Sequence, residues 1–124
     1  MILVDTSVWV DHLRQGEPRL IRALESGQVL GSDWVVGEMA CGNLRNRTEV
    51  LALLQALPKA VKASDGEVLA LIERRRLMGR GNGWVDAHLV ASALLSGAQF
   101  WTRDRRLQAV ANDLALAFDD SPTA

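Results

Sequence analysis

The chain opens on Ile2, Leu3 and Val4, an unbroken apolar run ended by Asp5, which predicts a short strand buried on both faces. Behind it the apolar positions take helical spacing to about Arg14, with Thr6 or Ser7 as the cap. A Gly16-Glu17-Pro18 break separates this helix from a second over 19–25, closed by Gly27. Residues 28–32 read as another short strand, and Ser32 or Asp33 caps a helix to about Asn43. An amphipathic helix over 49–57 stops at Pro58, and residues 60–63 predict a further strand. Ser64-Asp65-Gly66-Glu67 carries the Ser-x-x-Glu capping pattern and opens a helix to about Met78. After the glycine-rich loop 79–83 come a helix over 84–96 ended by Gly97, a strand over 98–102, a helix over 105–112 and a last strand over 114–118. Strands alternating with helices predict one α/β domain over 1–124, in three layers α/β/α, around a mainly parallel sheet of four to five strands. Only the acidic end, about 119–124, falls outside the pattern.

Composition narrows the class. At 124 residues and 48% hydrophobic, the chain can bury a core without staples, and a single cysteine, Cys41, rules out both a disulfide and a cysteine-based zinc site. No apolar run reaches the ~20 residues of a membrane span, and Asp5 interrupts the N-terminal run too soon for a signal peptide. The protein reads as cytoplasmic and unanchored. Six aromatics leave little for a base-stacking sheet of the RRM or OB type. The formal charge of −1 argues at first sight against nucleic acid, but its distribution is uneven. Residues 1–62 are neutral, residues 63–112 are net +2, and the last twelve are net −3. Twelve of the fourteen bases are arginine, whose planar fork suits phosphate. Arg74, Arg75, Arg76, Arg80, Arg103 and Arg105 are the candidate phosphate contacts, against the plainer reading of a solvated helix face.

The acids are placed unusually. In a parallel sheet the ligand site lies beyond the carboxyl ends of the strands. Asp5 stands at such an end, and Asp104 holds the matching place after Phe100-Trp101-Thr102, although helix capping explains either one alone. Glu38 has Trp34, Val35, Cys41 and Gly42 as helical neighbours, and Asp86 has Leu89 and Val90, so both are expected on dry faces. The plainer readings are an ion pair of Glu38 with Arg45 or Arg47, and favourable placement of Asp86 on a helix dipole. Four carboxylates converging on one point need protons or a metal between them, and an all-oxygen set selects Mg²⁺ or Mn²⁺. His12 and His88 lie far apart without an imidazole at i+4, and read as packed or surface residues. Such a carboxylate-held metal suits phosphodiester hydrolysis, activating water and offsetting charge on the leaving oxygen. Ser7 and Thr102 are placed to bond a carboxylate or a water behind the metal. The loop 79–83 lacks the ending of a P-loop, and its reading is a sharp turn into the Asp86 helix with Arg80 toward phosphate.

Four ordered blocks carry a family resemblance. They are Asp5-Thr6-Ser7-Val8-Trp9-Val10-Asp11-His12-Leu13-Arg14, Val36-Gly37-Glu38-Met39-Ala40-Cys41-Gly42-Asn43, the stretch from Gly81 through Asp86-Ala87-His88-Leu89-Val90-Ala91-Ser92, and Trp101-Thr102-Arg103-Asp104-Arg105-Arg106-Leu107. Together they resemble the PIN-domain ribonucleases of the VapC toxin type over nearly the whole chain. The resemblance implies a compact α/β/α domain and a Mg²⁺- or Mn²⁺-dependent endoribonuclease, the toxin half of a type II toxin–antitoxin pair. It implies tRNA or rRNA as substrate, a homodimer, and a VapB-type antitoxin as partner. The family's acidic positions fall on Asp5, Glu38, Asp86 and Asp104, the fourth being the position at which the family varies most. Two other classes compete. A Mg²⁺-binding receiver domain needs an acidic pair near the first strand and a lysine late in the sheet, whereas the only lysines are Lys59 and Lys62; an Asp-x-Asp phosphatase fails at Ser7. A non-catalytic RNA-binding domain would use the basic clusters and leave the acids unexplained.

Overall fold

Ile2, Leu3 and Val4 are at most 5% exposed, so neither face of this strand meets water and both must be covered. In the computed structural model, which describes residues 1–120, they form β1 (Ile2–Val4), the middle strand of a parallel sheet ordered β2-β1-β3. β2 (Val29–Leu30) pairs Leu30 with Leu3, and β3 (Gln99–Trp101) pairs Trp101 with Val4. The ladder runs one residue past β1, because the Asp5 N–H donates to the Trp101 carbonyl at 2.9 Å. That register sets Asp5 beside Thr102 at the carboxyl edge.

Helices α1 (Thr6–Gln15) and α2 (Pro18–Glu25) connect β1 to β2. The return to β3 takes α3 (Asp33–Ala40), α4 (Arg47–Ala56), α5 (Asp65–Arg75) and α6 (Trp84–Leu95), and α7 (Arg105–Asp113) follows. α6 packs on β1 and β3, and seven consecutive residues from Ala87 to Ala93 are buried, as a helix enclosed on all sides requires. Leu3, Leu20, Leu89, Phe100, Trp101 and Leu107 fill the core, and Ala63, Val68, Ala87 and Ala91 join α5 to α6. The capping pattern at Ser64 is realised in both directions: Ser64 Oγ accepts from Glu67 N–H, and Glu67 accepts from Ser64 N–H.

The sheet is smaller than the four to five strands expected. Among the described residues three strands form, and the two outer segments shrink to single parallel bridges, Gly31 with Lys59 and Phe100 with Ala117. Pro58 has no N–H to extend the first, and Ala115, at φ +57°, turns the backbone just before the second. α5 also ends before Met78. Arg76 takes the left-handed conformation at φ +53°, and the N–H groups of Arg76 and Leu77 both return to the Ile72 carbonyl. Of the expected acidic end, 121–124 lie outside the described residues.

Leu3→Ala should cost about 2–5 kcal/mol, because the strand it leaves is hemmed in on both faces and cannot collapse into the void. A denaturant midpoint that does not move would show the sheet to be less tightly covered than this.

Candidate active site

Asp5 occupies the N-cap position of α1, yet its side chain makes no capping bond. Its Oδ2 accepts from Ser7 Oγ at 2.7 Å and from Thr102 Oγ1 at 2.8 Å, while Oδ1 accepts no bond from the described residues. Asp5 is 6% exposed, and two hydroxyls from residues 95 positions apart hold its carboxylate. Each hydroxyl also accepts a backbone N–H, Ser7 from Arg103 at 3.0 Å and Thr102 from Asp104 at 3.1 Å. The expectation that Thr6 or Ser7 caps α1 is corrected accordingly, since the Ser7 hydroxyl is directed to Asp5.

Asp86 lies half-buried in the first turn of α6 and accepts from Gly83 N–H at 3.1 Å. Burial pushes its carboxyl above the ordinary range; the Gly83 bond opposes this, and the charges of Asp5 and Asp104 push it further up. Asp86 therefore stands within the field of acids from two other chain segments. Asp104 is exposed, and its Oδ1 caps α7 through Leu107 N–H at 3.0 Å, so the plainer reading of this residue holds for one oxygen.

Glu38 differs from the expectation of a dry face. It is exposed, because α3 buries the Val35–Met39 side and leaves Cys41 and Gly42 in solvent. Its partner is neither Arg45 nor Arg47. Thr6 Oγ1 donates to Glu38 at 2.7 Å, and Arg47 instead holds the carbonyls of Ala40 and Gly42. Thr6, expected only as a cap, therefore holds Glu38 instead, and its place directly after Asp5 is the signal in the sequence for that role.

Arg103, expected against phosphate, is committed inside the protein. Its guanidinium donates to Asp11 at 2.9 Å, to Asp120 at 3.1 Å and to Glu17, and lies over the Trp101 ring. The Asp120, Glu17 and Asp11 bonds hold its proton far more tightly than usual against the opposing effect of burial. Arg80 pairs with Asp113 at 2.7 Å, while Arg74, Arg75, Arg76 and Arg105 are exposed. Gly81, at φ +84°, lies so close under Arg106 that a Cβ there would stand 2.6 Å from its side chain. Neither histidine joins the acids: His12 accepts from Glu17 N–H, and His88 is buried between Trp34 and Trp84 with Nε2 on Asp65.

The donor set is all oxygen, and the unbonded Oδ1 of Asp5 and the raised carboxyl of Asp86 both fit a hard cation. Among the described residues no three of the acids stand at metal-ligand spacing; Asp86 lies in the field of Asp5 and Asp104, and Glu38 is bonded to Thr6.

The PIN-domain family model matches residues 2–113. Ribonuclease VapC32 of Mycobacterium tuberculosis, found in two strains, is 46% identical over 118 residues, covering 94% of this chain and 95% of that protein. A chain in the structure of FitAB bound to a DNA fragment superposes with a TM-score of 0.63 at 23% identity, over 90% of this chain and 91% of that one. The crystal structure of PAE2754 from Pyrobaculum aerophilum gives 0.58 at 18% identity, over 92% and 88%. The two structures speak for the fold, an α/β domain around a parallel sheet.

The upward shift at Asp86 has a signed consequence for the metal-free protein. A carboxyl raised in the folded state lends relative stability below its unfolded pKa and loses it as pH rises through the folded one. Asp86→Asn should therefore be more stable than the parent at neutral pH, with the gain disappearing in acid. Thermal melts across pH check this, and a variant less stable at pH 7 would contradict it.

Proposed function

The chain belongs to the PIN-domain family, and we propose that it acts as a VapC-type endoribonuclease, the toxin of a type II toxin–antitoxin pair. The observation that carries this reading is Asp5: a buried carboxylate at the carboxyl edge that caps no helix, is held by two hydroxyls, and shares its field with Asp86 and Asp104. A purely RNA-binding module has no use for that arrangement, and a receiver domain needs a lysine late in the sheet, where this chain has only Lys59 and Lys62.

Asp5, Asp86 and Asp104 are the residues that would hold Mg²⁺ or Mn²⁺, with Glu38 joining from α3. An ion there supplies an activated water and offsets charge on the leaving oxygen of an RNA phosphodiester. The chain's own contribution is orientation. Ser7 and Thr102 fix the Asp5 carboxylate through Oδ2 and leave Oδ1 without a bond from the described residues, available to a cation. Gly83 N–H sets the Asp86 rotamer, and Thr6 ties Glu38 to the start of α1. Exposed Arg74, Arg75, Arg76 and Arg105, with Arg80 on the loop, are the residues we assign to RNA phosphate. The natural setting is the cytoplasm, where tRNA or rRNA is the substrate, a second copy completes a homodimer and a VapB-type antitoxin silences the site.

Incubation with total RNA should give cleavage that requires Mg²⁺ or Mn²⁺ and is lost in Asp5→Asn by a factor on the order of 10² or more. Metal-independent cleavage, or full activity in the variant, would sink the mechanism. Replacing Arg74, Arg75 and Arg76 together with Ala should weaken RNA binding and flatten its dependence on salt by about 0.7 per lost contact to single-stranded phosphate. A salt slope equal to the parent's returns these arginines to a purely local role at the end of α5.

A further inference from the structure

A cleft of about 170 Å³ opens directly beside Asp86, which forms part of its wall. Its apolar lining includes Ile72, Val90 and Leu107 of α5, α6 and α7, and Leu77 just past the end of α5. Met78 and Trp84 stand at its lining with 51% and 40% of their surfaces in solvent, so large apolar groups face water next to the carboxylates. One polar side chain besides Asp86 lines it, Asn82, and its Oδ1 is enclosed without a hydrogen-bond donor. A buried acceptor left in this state is costly, and a turn of the Asn82 amide toward a donor brought into the cleft relieves it. Arg74, Arg75 and Arg76 directly precede Leu77 and Met78 in the chain.

An apolar slot with an amide on its wall and an aromatic at its lining has the chemistry of a site for one unstacked base. Phosphate contacts at the acids and arginines carry no sequence information, so any preference for particular RNA sites has to be read by a base contact of this kind. We propose that the cleft seats a single base of the RNA, on a nucleotide adjoining the bond cut at Asp5, Asp86 and Asp104. An amide side chain offers one acceptor and one donor, the pair that matches the amino group and ring nitrogen of adenine. The base is therefore amino-bearing, adenine before cytosine, with Trp84 and Met78 against its ring and Asn82 on its edge. This rests on the ribonuclease reading and adds to it the residue that selects the site of cleavage.

The test is to cleave a random-sequence RNA pool with the full chain and Mn²⁺ and to sequence the new ends. The parent should favour adenine over uracil at one position beside the cut bond by about tenfold, the scale of one amide–base pair. Asn82→Ala, with an unchanged melting temperature, should bring that position to near parity while other positions and the metal requirement stay as they were. Met78→Trp, which narrows the mouth at an exposed position, should erode the same preference. Unaltered preference in both variants, or equal loss at every position, overturns the proposal with the ribonuclease reading intact. Absence of metal-dependent cleavage by the parent overturns that reading, and this one with it.

Discussion

A carboxylate buried at the end of a strand has to find donors, and in this protein that requirement joins the sheet to the site. A carboxylate oxygen can only accept hydrogen bonds, so Asp5 Oδ2, enclosed in the protein, has to meet N–H or O–H donors. The two donors come from opposite ends of the chain, Ser7 from the first turn of α1 and Thr102 from just after β3. They meet at one oxygen only because Val4 pairs with Trp101, and a shift of one residue in that register would turn the Thr102 side chain to the other face. Each hydroxyl passes its proton toward Asp5 and receives a backbone N–H behind it, so the bonds polarise one another. The strand pairing that builds the core therefore also sets the carboxylate.

The segment Thr102, Arg103 and Asp104 is held from its other side by an ion cluster. Arginine's fork can serve several carboxylates at once, and Arg103 reaches α1 through Asp11, the α1–α2 turn through Glu17, and the end of the described chain through Asp120. Arg19 adds bonds to Glu17 and Asp120. Burial works to raise the Glu17 carboxyl, and the Arg103 and Arg19 bonds outweigh it and hold the group ionised. With Thr102 bonded toward Asp5 and Arg103 bonded away from it, the backbone between them has little freedom, as a positioned acid at Asp104 needs.

Much of this was legible in the chain because it is local. An apolar triplet ending in Asp5, a Ser-x-x-Glu cap and a glycine-rich loop before Asp86 each carry their meaning within a few residues, and the helices lie close to where the periodicity puts them. What failed was long-range. The dry face inferred around Glu38 rested on neighbouring residue types, and two of those neighbours, Cys41 and Gly42, lie in solvent because α3 ends at Ala40. The outer strands were read from apolar content, but pairing at a sheet edge depends on backbone donors, which Pro58 and the turn at Ala115 take away. Arg103 looked like its basic neighbours because its three acidic partners form no local pattern: Asp120 is 17 positions away, Glu17 is 86 and Asp11 is 92.

The charge balance then takes a different meaning. Setting aside Asp5, Glu38, Asp86 and Asp104 turns the formal −1 into +3, which is the charge of the body around the site. That figure already counts the carboxylates that hold Arg103 and Arg80, two arginines committed to partners in the same chain. A body of such modest charge draws RNA weakly at a distance, and salt screens most of what remains. Phosphate contacts then leave discrimination to short-range contacts, and the apolar cleft that has Asp86 in its wall is the place proposed for them. Contacts of that range are short, directional and specific to the shape of a base, which is the kind of recognition that a nearly neutral nuclease with few aromatics can support.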